Sequence, residues 1–233
     1  MQVEPKIIYE DNHIIVVIKP HNIAVQEDSS KDEDMLTIIK NFIKERDNKP
    51  GNVFLGLVHR LDRPTGGVMV FAKTSKAASR LSKQLKDKEL KKRYFCVVNG
   101  RPQIVEDRLI TYLKKDEKTN TVKIAPKLEN GSKEAILEYK VLETKNDLSL
   151  IDVNLITGRS HQIRVQMSSQ LNMPIFADFK YGDKFHSGNL ALWAYELSFV
   201  HPTTQKGMKF RVAPEYNKSA FQIFENRIKE IIE

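Results

Sequence analysis

A chain of 233 residues with 40% apolar content can bury a sizeable core, and its 38 Lys and Arg against 30 Asp and Glu leave a net charge of +8. That balance, with a pI near 9.4, favours an anionic partner: nucleic acid, an acidic protein or an anionic membrane surface. The opening MQVEPKIIYEDNH lacks a secretory signal, no apolar run approaches the roughly 20 residues that span a bilayer, and the single cysteine, Cys96, forms no internal disulfide, so a reduced cytoplasmic setting is expected.

IIYEDNHIIVVIKP reads as two strands around a polar turn at Asp11 to His13. From Glu33 to about Arg46, Leu36, Ile39, Phe42 and Ile43 recur at helical spacing behind acidic residues that suit a helix start. VFLGLVH and VMVFAK read as strands, which places HRLDRPTGG in the connection between them. Ser75 is a candidate cap for a helix to about Lys86, with Ala78, Leu81 and Leu85 inward. KKRYFCVVNG is a strand in which Cys96 is a small apolar residue, and exposed hairpins follow. EAILEYKVLET and LSLIDVNLI are strands, the second stopping at Thr157-Gly158, where Ser160 opens the short helix SHQIRVQMSSQ. ALWAYELSFVH and MKFRVAP supply two late strands, and FQIFENRIKEII a closing helix with Phe221, Phe224, Ile228, Ile231 and Ile232 along its apolar face. Without repeats or linkers the chain reads as one folding unit, residues 1–233. Strands clustered in hairpins predict an α+β fold with a largely antiparallel or mixed sheet.

No G-x-G-x-x-G or P-loop appears, and no Cys/His cluster has zinc spacing, so no cofactor and no metal are implied. Three clusters carry chemistry. Asp62 sits between Arg60 and Arg63, before Pro64 and the pair Gly66-Gly67; it is either a turn aspartate or a working carboxylate kept ionised by the arginines and His59. In LITGRSHQIR, His161 and Arg164 lie three residues apart and share a helix face, while Arg159 and the amides of the helix start suit a phosphate. Tyr94, in its basic flank, is either a core ring or one that stacks on a base while lysines hold phosphates.

Together HRLDRPTGGVMVFAKT, KKRYFCVVNG, LITGRSHQIRVQ and MPIFADFKYG resemble the RluA-type RNA pseudouridine synthases, and IIVVIKP, LSFVHP and FRVAP extend the resemblance over nearly the whole chain. It implies a stand-alone synthase domain, monomeric and without cofactor or metal. Such a domain converts uridine of structured ribosomal or transfer RNA to pseudouridine, detaching the base from C1′ and rejoining it through C5. By the same resemblance Asp62 is the nucleophile, at C6 of uracil or at C1′ of ribose. Tyr94 stacks on the flipped base, with its hydroxyl a candidate for assisting loss of the C5 proton, and Arg164 is the basic partner of the aspartate. Arg60, Lys19 and Arg159 are candidates for phosphate contacts or for filling the space the base leaves, and His161 and Gln162 join them as RNA-binding candidates.

The sequence departs from the family pattern at Gly66, where a serine is usual, at Asn172 and Ala177, where glycines are, and at Trp193, where a histidine is. The chain begins at the first hairpin, with no room for an N-terminal S4 domain, so target choice is expected to come from the catalytic domain's own surface. A catalytically idle RNA-binding protein and a carboxylate glycosidase are the competing readings; the second needs another acid across a cleft, and no second acidic motif stands out.

Overall fold

Asp11 sets the first reversal of the chain. In the computed structural model, which describes residues 4–28, 30–217 and 219–233, its Oδ1 accepts from the amides of His13 (2.7 Å) and Ile14 (2.9 Å), groups a tight turn would otherwise leave unpaired. On either side β1 (Lys6–Glu10) and β2 (Ile14–Lys19) pair antiparallel, as the sequence predicts. The helix α1 (Met35–Arg46) is capped by Asp34, which accepts from Thr37 N, and buries Met35, Ile38, Ile39 and Ile43.

VFLGLVH contains only the two-residue strand β3 (Gly56–Leu57), with Phe54 exposed. Every residue of β4 (Gly66–Ala72) is buried, and the strand lies antiparallel to β2 with Lys19 opposite Gly67. The cap of α2 (Ser75–Lys86) is Thr74 rather than Ser75, and its buried face is Ala77, Leu81 and Gln84 in place of the expected Ala78, Leu81 and Leu85. Gln84 turns inward because its amide trades two hydrogen bonds with the backbone of Val200, Nε2 to O at 2.7 Å and N to Oε1 at 2.8 Å. A polar side chain is buried readily when both ends are paired.

Residues up to Lys91, with Glu196–Val212, form one compact unit; Lys92–Tyr195, with Ala213–Glu233, form another. The second unit is built on β5 (Lys91–Asn99), β6 (Glu106–Asp116), β7 (Thr121–Ile124), β8 (Lys133–Lys145) and β9 (Leu148–Leu155), in the order β5-β9-β8-β6-β7, all antiparallel. Cys96 is fully buried on β5, where burial pushes the thiol pKa up, away from reactivity.

The short helix does not start at Ser160. His161, in the left-handed region at φ 50°, is the residue before α3 (Gln162–Val165), which relaxes into a π turn over Gln166–Gln170. Buried Gln166 fastens this segment to the sheet through Nε2, which donates to Thr111 Oγ1 at 3.1 Å and to Ala135 O at 3.3 Å. The first residues of β10 (Leu192–Val200) belong here, with Tyr195 stacked on Phe95 at 3.7 Å. Its later residues belong to the first unit, where they pair with β11 (Gly207–Arg211). A 3-10 turn, Ala220–Phe224, leads into α4 (Glu225–Ile232), and Phe221, Phe224 and Ile228 are buried as expected. Hairpin ladders with four α-helices among the described residues bear out the α+β reading.

Candidate active site

In the first unit the loop carrying Asp62 is held on several sides. The carbonyl of Asp62 accepts from Thr65 N at 2.9 Å, closing a turn over Arg63-Pro64. Lys19 Nζ donates to the carbonyl of Arg63 at 3.0 Å, and to those of Pro20 (2.9 Å) and Ile23 (2.7 Å). His21 Nδ1 meets the carbonyl of Pro64 at 2.7 Å; a carbonyl only accepts, so Nδ1 carries the proton. His59 Nε2 accepts from Val70 N at 3.2 Å, which fixes that ring to β4. The Asp62 side chain is half-buried at the end of this scaffold.

Lys19 is fully buried and its three donors are all taken by carbonyls, so it pins the loop instead of meeting a phosphate. This corrects its expected RNA-binding role. Burial drives its pKa from 10.5 down to about 7; the Asp62 carboxylate pulls the other way and Arg63 adds to the fall. Between pH 7 and about 10.5 the unfolded chain therefore binds more protons at this residue than the folded one, so its contribution to stability rises with pH across that window. Urea unfolding of wild type and Lys19→Met should show a stability difference that grows in favour of wild type from pH 7 to 10; a flat difference would contradict the shift. Arg63 is also used structurally. Its guanidinium pairs with Asp32, donates to Ser30 Oγ at 2.8 Å and lies 3.6 Å from Asp28. Arg60 is exposed, which leaves its guanidinium open to a phosphate.

In the second unit Tyr94 is 4% exposed on β5, opposite Val153 of β9. Arg164 is the hub of a buried cluster. Its Nε donates to Asp178 Oδ2 at 2.7 Å and its NH2 to Oδ1 at 2.6 Å, a bidentate pair in which both side chains are almost wholly buried. The guanidinium carbon stands 5.0 Å from the ring centre of Tyr181, and Tyr181 Oη meets His161 Nδ1 at 2.6 Å and accepts from Val122 N at 2.9 Å. His161 and Arg164 thus share a face, as their spacing predicts, and both use it on Tyr181.

Gln162 is corrected as an RNA contact. It is buried, its Oε1 accepts from Thr157 Oγ1 (2.8 Å) and Arg159 N (3.0 Å), and its Nε2 donates to Ile136 O (3.0 Å). The Arg159 amide is consequently not available to a phosphate, although its guanidinium is exposed and donates through Nε to Glu134 O. A second buried acid, Asp152, pairs with Arg93 and accepts from Tyr195 Oη at 3.1 Å.

Residues 13–169 match the family model for RNA pseudouridylate synthase, a span that includes HRLDRPTGG, KKRYF and TGRSHQIR. The chain belongs to that family, in its RluA-type branch. It is 33% identical to the ribosomal large subunit pseudouridine synthase C of Buchnera aphidicola subsp. Baizongia pistaciae over 97% of this chain and 70% of that protein. It is 34% identical to ribosomal large subunit pseudouridine synthase D of Neisseria meningitidis over 88% of this chain and 56% of that protein. Its fold matches human RNA pseudouridylate synthase domain containing 4 with a TM-score of 0.77 at 20% identity, over 96% of this chain and 93% of that one.

Two departures of this synthase from its family pattern acquire a physical reading. Asn172 and Ala177, standing where glycines are usual, both adopt the left-handed region, at φ 55° and 60°, the backbone a glycine would take without strain. Ala177 is held there by its amide, which donates to buried Asp183 Oδ2 at 2.6 Å. Trp193 is buried in β10. Asp178 is not named as a site residue from the sequence; its signal is its place in MPIFADFKYG, directly after the apolar run PIFA.

Proposed function

We propose that this synthase isomerises uridine in large-subunit ribosomal RNA, with Asp62 as the nucleophile and the target base flipped out of its stack. The observation that carries the reading is the rigid mounting of Asp62: carbonyls on the two residues after it are fixed by Lys19 and His21, so the carboxylate is presented without reorganisation. The names of the similar bacterial synthases support the RNA class, and a cytoplasmic site of action goes with it. No helix among the described residues is long and apolar enough to cross a membrane.

The ionised carboxylate attacks C6 of uracil or C1′ of ribose; either attack uses the same group in the same state. The N1–C1′ bond breaks, the base turns and C5 bonds to C1′; the bond to the carboxylate breaks to regenerate Asp62, C5 loses its proton and N1 takes one up. Nothing is oxidised or reduced, so the isomerisation calls for no external electron carrier. Extruding the uridine costs a few kcal/mol, and stacking on Tyr94 returns roughly 1 to 3 kcal/mol. The buried clamp of Asp178 and Tyr181 keeps Arg164 charged and oriented, and Arg164 supplies positive charge for the anionic groups of the reaction. Exposed Arg60 and Arg159 take phosphates.

Tyr94→Phe should bind RNA like wild type because the ring remains, whereas Tyr94→Ala should bind roughly 5- to 100-fold more weakly. Equal affinities, measured by filter binding, would refute the stacking role. The reading as a whole is tested by incubating an unmodified large-subunit ribosomal transcript bearing 5-tritiated uridine with the protein, since making the C5–C1′ bond expels the tritium. Release from the ribosomal transcript is expected; release from transfer RNA alone would overturn the substrate assignment.

A further inference from the structure

Lys92 is the second residue of β5, two before Tyr94, so the alternation of the strand turns both side chains to one face. It is 9% exposed. Among the described residues its ammonium has no hydrogen bond and no carboxylate within ion-pair distance, unlike Arg93, which takes Asp152. A buried lysine is nearly always paired, because removing the charge from water is repaid only by a partner. Here burial acts unopposed and lowers the pKa to about 8.

The position of the ammonium says where a partner would come from. A methyl group built on Gly158 would stand 3.0 Å from Lys92 Nζ, so the ammonium lies against the glycine of the Thr157-Gly158-Arg159 turn. Gly158 is itself exposed, and so is the neighbouring Arg159. The cation therefore sits just inside the surface, under the one residue of the turn that has no side chain to cover it.

We propose that Lys92 binds a phosphodiester of the substrate RNA, which approaches over Gly158. The inference rests on the RNA reading above. A desolvated ammonium without a carboxylate gains most from a full negative charge at hydrogen-bond distance, more than from a neutral base carbonyl. RNA offers such a group at every nucleotide, and Arg159 gives the turn a second cation facing solvent.

Lys92→Met separates this role from a structural one. Taking away an unpaired buried charge should leave stability in urea unchanged or raised, while the Kd for an unmodified large-subunit ribosomal transcript rises roughly 10- to 100-fold. The slope of log affinity against log salt should also flatten by about 0.7 to 0.9, one phosphate contact. Gly158→Ala, which crowds Nζ at little cost to the fold, should weaken binding in the same direction. A less stable Lys92→Met protein with wild-type affinity and salt slope would make Lys92 structural and overturn the inference, while weaker binding at an unchanged slope would point to a neutral acceptor and equally overturn it. Wild-type protein that neither binds nor modifies the transcript would sink the RNA reading and this inference with it. Wild-type modification beside unaltered Lys92→Met binding would sink the inference alone.

Discussion

Asp62→Asn is expected to stay folded and to lose pseudouridine formation by more than about 10³-fold. The substitution keeps the shape of the side chain but removes the negative charge and the nucleophilic oxygen. The hydrogen bonds described for its loop run to backbone carbonyls, from Thr65 N, Lys19 Nζ and His21 Nδ1, and all three survive the change. These contacts keep the loop in place, so the variant should stay folded. Tritium release from the ribosomal transcript measures the rate, and urea unfolding the stability. Activity within tenfold of wild type would place the nucleophile elsewhere.

Asp178→Ala is expected to destabilise the protein by about 3–5 kcal/mol, because it strips a bidentate carboxylate from a buried guanidinium. It also removes the acceptor of the Lys180 and Tyr181 amides, at 3.2 and 3.3 Å from Asp178 Oδ1. The double variant Arg164→Met Asp178→Leu should recover a large part of that loss, since an apolar pair of similar volume carries no charge into the core. It should nevertheless be inactive. A single Asp178→Ala that melts like wild type would mean that Arg164 is not dependent on this carboxylate.

Elements governed by local chemistry are legible in the residues themselves. The Asp11 turn, the strand spacing of KKRYFCVV and the apolar face of Phe221, Phe224 and Ile228 follow from residues a few positions apart. Expectation and fold part where distant backbone decides. Thr74 and Ser75 are both capable caps, and the inward turn of Gln84 depends on Val200, more than a hundred residues away. VFLGLVH has a strand's composition but finds ladder partners for two residues only, Gly56 and Leu57.

The site divides in the same way. HRLDRPTGG and TGRSHQIR point to Asp62 and Arg164, because motif residues keep their spacing. Lys19, in IIVVIKP, and Gln162, inside TGRSHQIR, look like RNA contacts from their motifs, yet Lys19 spends its hydrogen bonds on backbone carbonyls and Gln162 on Thr157, the Arg159 amide and Ile136 O. Asp178 and Tyr181 hold Arg164 from a loop beginning fourteen residues later in the chain, a pairing that no local pattern reveals. Lys92 is hidden inside a basic run, where a buried cation and a solvated one look alike.

The most direct test is to map pseudouridine at single-nucleotide resolution in large-subunit ribosomal RNA from a strain lacking the gene, complemented with either wild type or Asp62→Asn. Wild type should restore one or more modified positions that Asp62→Asn leaves as uridine. Identical maps from the two strains would contradict the assignment of Asp62 as the nucleophile of a ribosomal RNA pseudouridine synthase.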